Sequence, residues 1–513
     1  MLFNSYEFIF LFLPLTAVIF YGLRRHSTFN AALTWLTLSS LFFYGWWNPA
    51  YLILLVTSIG VNFLLGNTIN RNPGKTGKYV LYAGIVFNLS LIGYYKYAYF
   101  LTETANYVAG TNFHLETIIL PLAISFFTFQ QITYLVDSRA GLTREYSFLQ
   151  YCLFVSFFPQ LIAGPIVHHG EMMPQFQRLE ERQKLAENLA VGLTIFSIGL
   201  FKKAVIADGV APYGTSVFAD AEAGVAIDFF RAWGGALSYT MQLYFDFSGY
   251  SDMAIGAARM FGIVLPLNFN SPYKAASIID FWQRWHMTLS RFLRDYLYIP
   301  LGGNRKGPAR RYINIFLTML LGGLWHGAGW TFVIWGGLHG LYIIINHVWR
   351  ALRRNAGPPR FPRIAGGAGR ALTLIAVIFG WVFFRAESLD AALALVESMI
   401  GLNGAALPLA IAYRAGPLVP FLEATGIMFT QISGAQFMET WMWIIALVPL
   451  ALFTPNTQQI LGNFAPALDF RADRTSHQLR WMPSRRWVCA VIVLLSIGVL
   501  SLPQVSEFLY FQF

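Results

Sequence analysis

The chain has 513 residues, of which 56% are hydrophobic, 17% aromatic and only 12% charged, and its mean hydropathy is +0.51. Soluble domains carry about a quarter charged residues, so the composition excludes a soluble globular protein and reads as an all-α polytopic membrane protein. The net charge of +11 does not point to nucleic acid, because the basic residues fall in short clusters between apolar runs, the pattern of cytoplasmic loops that also touch anionic lipid heads.

A spanning helix needs about 20 mostly apolar residues. The opening MLFNSYEFIFLFLPLTAVIFYGL lacks a basic start and a small-residue cleavage site, so it reads as a retained first helix. Apolar runs at 6–23, 31–47, 49–66, 79–100, 187–207, 229–247, 312–325, 329–348, 371–385, 440–454 and 487–503 are candidate spans. Less regular runs fall near 116–136, 150–167, 250–265 and 388–400. Together they predict roughly eleven to thirteen crossings. Broken or short pieces at bilayer depth are tolerated only around a cavity, so re-entrant and interfacial helices around a central tunnel are expected within about 120–345. The whole of 1–513 reads as one membrane domain: N-terminal helices over 1–115, a core bearing the chemistry over 116–348, a cytoplasmic linker over 349–370, and C-terminal helices with an aromatic tail over 371–513. Residues 401–435 are nearly uncharged and match no template. The basic clusters Arg24-Arg25, Arg71 to Lys78, Lys202-Lys203, Arg305 to Arg311, Arg350 to Arg370 and Arg471 to Arg486 are expected in cytoplasmic loops. No internal repeat is visible, which weakens a transporter reading. Cys152 and Cys489 lie in apolar runs without a spacing signal, so neither a disulfide nor a metal site is implied.

Within these spans a few polar residues stand out. In MQLYFDFSGYSD, Asp246 and Asp252 sit in apolar sequence, where a bare carboxylate is expensive. A structural ion pair with an Arg, or bonds from neighbours such as Ser248 and Ser251, is expected for each. In DFWQRWHMTLSRFLRDYLYIPLGGNRK, residues Trp282, Trp285, Leu289, Phe292 and Leu293 recur at helical spacing, predicting an amphipathic helix at the cytoplasmic interface or dipping into the core. His286 lies one residue off that stripe and is a candidate functional group. The turn Pro300–Arg305, with Asn304 and Arg305, offers backbone N–H groups and cationic side chains to a phosphate-bearing ligand. Arg284 and Trp285 are further donor-side candidates, although interfacial anchoring is the favoured reading for most of the Trp and Arg residues here.

The segment LGGLWHGAGWTFVIWGGLHG carries His326 and His339, with no Lys, Arg, Asp or Glu between Arg311 and Arg350. A polar ring at bilayer depth must face a protein interior or an aqueous cavity. Gly322, Gly323, Gly327 and Gly329 favour close approach of backbones or ligands. The two histidines are thirteen apart, unlike the i, i+4 spacing of a helical zinc pair, and no serine or cysteine nucleophile elbow or phosphate loop appears. Any chemistry therefore uses imidazole as a base on bound substrates. His339 reads as structural.

The ordered motifs LPLAISFFTFQQITYLVD, FFPQLIAGPI, LYFDFSGYSDMAIG, FWQRWHMTLSRFLRDYLYIPLGGNRKG, TMLLGGLWHGAGWTFVIWGGLHG, GWVFFRAES and FLYFQF resemble those of the membrane-bound O-acyltransferase family, and within it the bacterial branch that O-acetylates alginate. The resemblance spans essentially the whole chain. It implies acyl transfer from a cytoplasmic thioester, with no resident cofactor and acetyl-CoA as donor substrate, to an exported polysaccharide such as alginate or cellulose. It also implies a bacterial inner-membrane location, a periplasmic partner of the SGNH or esterase-like acetyltransferase type, and a polysaccharide synthase nearby. It places the catalytic histidine of the LWHG stretch at His326 and that of the RWH stretch at His286. His286, with Arg284 and the 302–305 turn, would shape the donor entrance. The tail resembles the aromatic motif of a small companion protein in D-alanylation, which implies that Tyr510 carries the acyl group as a phenolic ester; interfacial anchoring is the competing reading. Acceptors such as peptidoglycan, teichoic acid or protein, and a non-enzymatic exporter, remain the alternatives.

Overall fold

The computed structural model describes residues 1–116, 118–143, 147–178, 184–355, 361–468, 470 and 479–503; Tyr510 and the rest of the FLYFQF tail lie outside them. The described chain is helical almost throughout, with one short parallel strand pair, Ala405–Pro408 and Ile427–Thr430. Among the described residues six helices are long and apolar enough to cross a membrane, fewer than the roughly eleven to thirteen crossings expected: Glu7–His26, Ala50–Arg71, Leu185–Glu222, Trp330–Leu352, Pro362–Arg385 and Gly434–Phe453. Each covers an apolar run singled out in the sequence. The chain is an all-α polytopic membrane protein.

Two helix pairs form the frame. The runs 229–247 and 250–265 are mostly one helix, Phe229–Met260, of 32 residues. It packs antiparallel on Leu185–Glu222, and glycines set the separation. A Cβ on Gly192 would lie 2.7 Å from the Gly256 carbonyl oxygen, and one on Gly199 would lie 2.6 Å from that of Gly249. The second pair is the hairpin of Gly307–His326 and Trp330–Leu352, where a Cβ on Gly336 would stand 3.1 Å from the Gly323 Cα. Around Gly327 the space is already filled by the Phe332 ring. The glycines flanking His326 thus bring backbones together, as small residues do between membrane helices; Gly322, Gly323 and Gly327 face protein atoms.

Lys202 and Lys203 are not in a loop. They begin a π-helical turn, Lys202–Ala207, in the middle of the Leu185–Glu222 span, and the Lys203 side chain is 1% exposed. Its ammonium meets Asp246 Oδ1 at 2.7 Å and Asp208 Oδ1 at 2.6 Å. Lys202 meets Asp252 Oδ2 at 2.6 Å, and the same carboxylate accepts from Thr457 and Gln458. Asp246 and Asp252 both sit in ion pairs, and their cationic partners are these lysines, not the arginines the sequence suggested. The pairs supply each other's missing solvation inside the bilayer.

Charge marks the two ends of the bundle. Arg310 and Arg311 open one helix of the hairpin, Arg350 closes the other, and Arg363 and Arg370 open the next. The opposite end carries Asp220, Glu222, Asp228 and Glu387, with the Glu222 carboxylate accepting from the backbone N–H of Glu387 and Ser388. Residues 401–435 belong to this acidic end, where Phe229 N–H donates to the Gly404 carbonyl. Within the basic stretch 349–370, helix resumes already at Pro362, because proline at a first helical turn forfeits no hydrogen bond.

Candidate functional site

The 280–306 region is not one amphipathic helix. Ile278–Trp282 ends, His286 adopts the left-handed conformation (φ 42°), and Met287–Leu293 starts anew. Such a backbone is costly for a non-glycine residue and needs surrounding structure to hold it. Asn268 supplies that hold. Its backbone carbonyl accepts from Met287 N–H at 2.9 Å, and its side-chain oxygen accepts from Thr288 Oγ1 at 2.9 Å. The same oxygen lies 3.0 Å from His286 Nδ1, while its amide donates to Ser251. An amide oxygen only accepts, so the imidazole proton sits on Nδ1 and the Nε2 lone pair is the basic one.

The break turns His286 into the protein. Its ring is fully buried, 6.4 Å between centroids from the ring of His326, which is 5% exposed. Both rings lie at the seam of two aromatic clusters: Trp325 from one, and Phe247, Trp335 and Phe384 from the other, meet them edge-on or tilted. His326 occupies the last position of its helix, before the break at 327–329.

Two cavities approach this seam. A cavity of about 40 Å³ is bordered by His326, Trp325, Lys96, the 120–126 segment, Ile162 and Ala163. A larger one, of about 560 Å³, reaches Met287, Thr288 and Met319 at its apolar end and is edged by Arg291, Arg294, Tyr298 and His347. His347 lies one turn before Arg350, so the larger cavity belongs to the basic end of the bundle. Its volume falls in the range of small-ligand pockets, about 300–1,000 Å³.

The remaining candidates separate from the histidine pair. Trp285 is buried among Phe269, Phe281 and Trp381. Arg284 pairs with Asp280 at 2.7 Å, and both Asn304 and Arg305 are exposed. None of these four borders either cavity. Arg291 and Arg294, seven and ten residues beyond Arg284, line the larger cavity instead. Arg291 is held by a two-pronged pair with Glu171, and Arg294, whose side chain is 62% exposed, by one with its neighbour Asp295. His339 is buried and structural in position: its Nδ1 accepts from Trp282 Nε1 at 3.2 Å, fixing an indole that walls the large cavity. Sequence reasoning missed Asn268, Thr288 and Lys96; the polar Asn268 inside VLPLNFNSPY was the available signal.

Residues 83–386 match the family model described as the membrane-bound O-acyltransferase family. The chain is 40% identical to the peptidoglycan O-acetyltransferase of Helicobacter pylori, over 100% of this chain and 98% of that one. It is 41% identical to the probable alginate O-acetylase AlgI of Pseudomonas aeruginosa, over 78% of this chain and 75% of that one. The similarity to the teichoic acid D-alanyltransferase of Bacillus subtilis is 32% identity over 42% of this chain and 56% of that one.

Proposed function

Since this chain belongs to the membrane-bound O-acyltransferase family and is a multi-pass membrane O-acyltransferase, we propose that it moves an acetyl group from acetyl-CoA in the cytoplasm to a hydroxyl presented from the other side of the bacterial inner membrane. The single observation that carries this reading is the buried His286–His326 pair, with one cavity reaching its neighbourhood from the basic end and another bordered by His326 itself. Basic ends of membrane helices are retained in the cytoplasm, which supports reading the larger cavity as the thioester donor's. Arg294 and His347 at its edge suit the phosphates of coenzyme A, and its apolar depth suits the pantetheine arm and acyl group.

The reaction needs a base. His326 Nε2 or Nδ1 removes the proton from the attacking hydroxyl as the oxygen adds to the thioester carbonyl, and the C–S bond then breaks to release a thiolate that takes up a proton. General-base assistance is worth about 10²–10⁴-fold. His286, with its tautomer fixed by Asn268, presents the Nε2 lone pair and stands close enough to accept the proton. The acceptor is an exported or cell-envelope glycan, relatives being named for peptidoglycan, alginate and teichoic acid, reached through an esterase-like periplasmic partner beside a polysaccharide synthase. Tyr510 is the acyl carrier in the fuller version of this reading.

The test is turnover of [¹⁴C]acetyl-CoA by the purified protein in nanodiscs, together with envelope O-acetyl content in cells. His326→Ala protein that folds and inserts is expected to lose at least about 10²-fold in both. Retention of wild-type acetylation by that variant removes the catalytic assignment.

A further inference from the structure

The last four carbonyls of an α-helix have no donor within it and must be satisfied from outside. In Gly307–His326 the final three belong to Leu324, Trp325 and His326 itself. Leu324 O accepts from Tyr97 Oη at 2.8 Å, Trp325 O from Lys96 Nζ at 2.5 Å, and His326 O from the same ammonium at 3.2 Å. Both donors come from a five-residue π-helical turn, Gly93–Tyr97, more than two hundred residues earlier in the chain. Lys96 Nζ also stands 5.9 Å from the Trp325 ring centroid. The same lysine borders the cavity of about 40 Å³ that His326 borders. An ammonium has three N–H donors; two are spent on carbonyls, and the third remains for an occupant of that cavity.

We propose that Lys96 is a positioning residue for acyl transfer: it caps the helix end that bears His326, fixes the imidazole relative to His286, and places a positive charge on the chamber wall. The proposal rests on the acyl-transfer reading of this site. A cation suits the negative end of a helix dipole. It also favours the intermediate, in which the thioester C=O becomes an oxyanion while the hydroxyl proton passes to imidazole, before the C–S bond breaks and thiolate leaves. Fixed charge aimed at an oxyanion in a dry site is among the larger contributions to catalysis, and small displacements of a catalytic group cost on the order of 10²-fold.

The experiment compares Lys96→Met, Lys96→Arg and Tyr97→Phe with wild type and His326→Ala in nanodiscs. It measures kcat and KM for [¹⁴C]acetyl-CoA, and amide hydrogen exchange of peptides covering 321–332. Lys96→Met is expected to lose on the order of 10²-fold in kcat with KM within about twofold, and to exchange faster at the end of the His326 helix. Lys96→Arg is expected to recover at least a tenth of wild-type kcat, and Tyr97→Phe, which removes one neutral bond, to lose less than tenfold. Wild-type kcat in Lys96→Met overturns the proposal, as does unchanged exchange over 321–332. If wild-type protein consumes no acetyl-CoA, the donor assignment fails on its own, and the exchange measurement still decides whether Lys96 holds the helix end.

Discussion

Replacing Asn268 by alanine isolates the part of the site that sequence alone did not reveal. The substitution removes the acceptor of two buried donors, His286 Nδ1–H at 3.0 Å and Thr288 Oγ1–H at 2.9 Å, with both residues at most 2% exposed. A buried donor left without its acceptor costs about 1–3 kcal/mol, so the two together cost roughly 2–6 kcal/mol. Part is recovered as the rings shift to other partners, and that shift is the damage to catalysis. Each 1.36 kcal/mol that falls on the orientation or tautomer of His286 is tenfold in rate, so kcat is expected to drop about 10–10²-fold, with the remainder appearing as a lower melting temperature. Asn268→Asp keeps an acceptor for both donors but buries a carboxylate and loses the donor to Ser251, so it should lower the melting temperature while retaining more kcat than Asn268→Ala. Turnover of [¹⁴C]acetyl-CoA in nanodiscs, paired with a fluorescence-detected melting curve, reads both quantities. Equal kcat for Asn268→Ala and wild type, or equal losses for Ala and Asp, would refute the idea that this oxygen sets the state of His286.

Lys203→Met should destabilise by about 3–5 kcal/mol, since it strands two buried carboxylates; loss of monodisperse protein on size exclusion reads this, and adding Asp208→Asn and Asp246→Asn should restore it. Gly336→Leu forces a side chain against the Met319 carbonyl and the Gly323 Cα and is expected to cost at least about 1–3 kcal/mol through overpacking, seen as a fall in melting temperature. Arg294→Glu should raise the KM for acetyl-CoA several-fold with kcat little changed, because it acts on the donor's phosphates at the cavity edge; an unchanged KM would remove Arg294 from the donor site. Tyr510→Phe should abolish transfer to the glycan while leaving thioester consumption, and wild-type envelope acetylation in that variant would eliminate the relay.

The fold class followed from apolar run length, because lipid leaves a chain few alternatives to the helix. The count did not, since roughly eleven to thirteen crossings were expected and six helices among the described residues are long and apolar enough to span. Long-range pairing was what the sequence hid. Lys202-Lys203 looked like a loop cluster because charge in an apolar run is read locally, yet Asp252 lies 50 residues further on and only the helix packing joins them. His286 and His326 were visible as titratable rings in the wrong solvent. Their meeting was not, since it depends on a left-handed residue held by Asn268, 18 residues away. The donor candidates are not brought together for a related reason: the break at 283–286 leaves Arg284 paired with Asp280, and it is Arg291 and Arg294 that line the larger cavity.

The lysine–aspartate pairs also bear on how the protein is made. A lysine at the centre of a membrane helix costs about 2.5–3.5 kcal/mol when it enters lipid through the translocon. Leu185–Glu222 carries two; Asp208 on the same helix answers Lys203 in part, and the remaining counterions, Asp246 and Asp252, reside on the segment synthesised next. The nascent chain therefore gains by keeping the first helix waiting at the lateral exit until Phe229–Met260 emerges, so that the neutralised hairpin partitions into the bilayer as one unit.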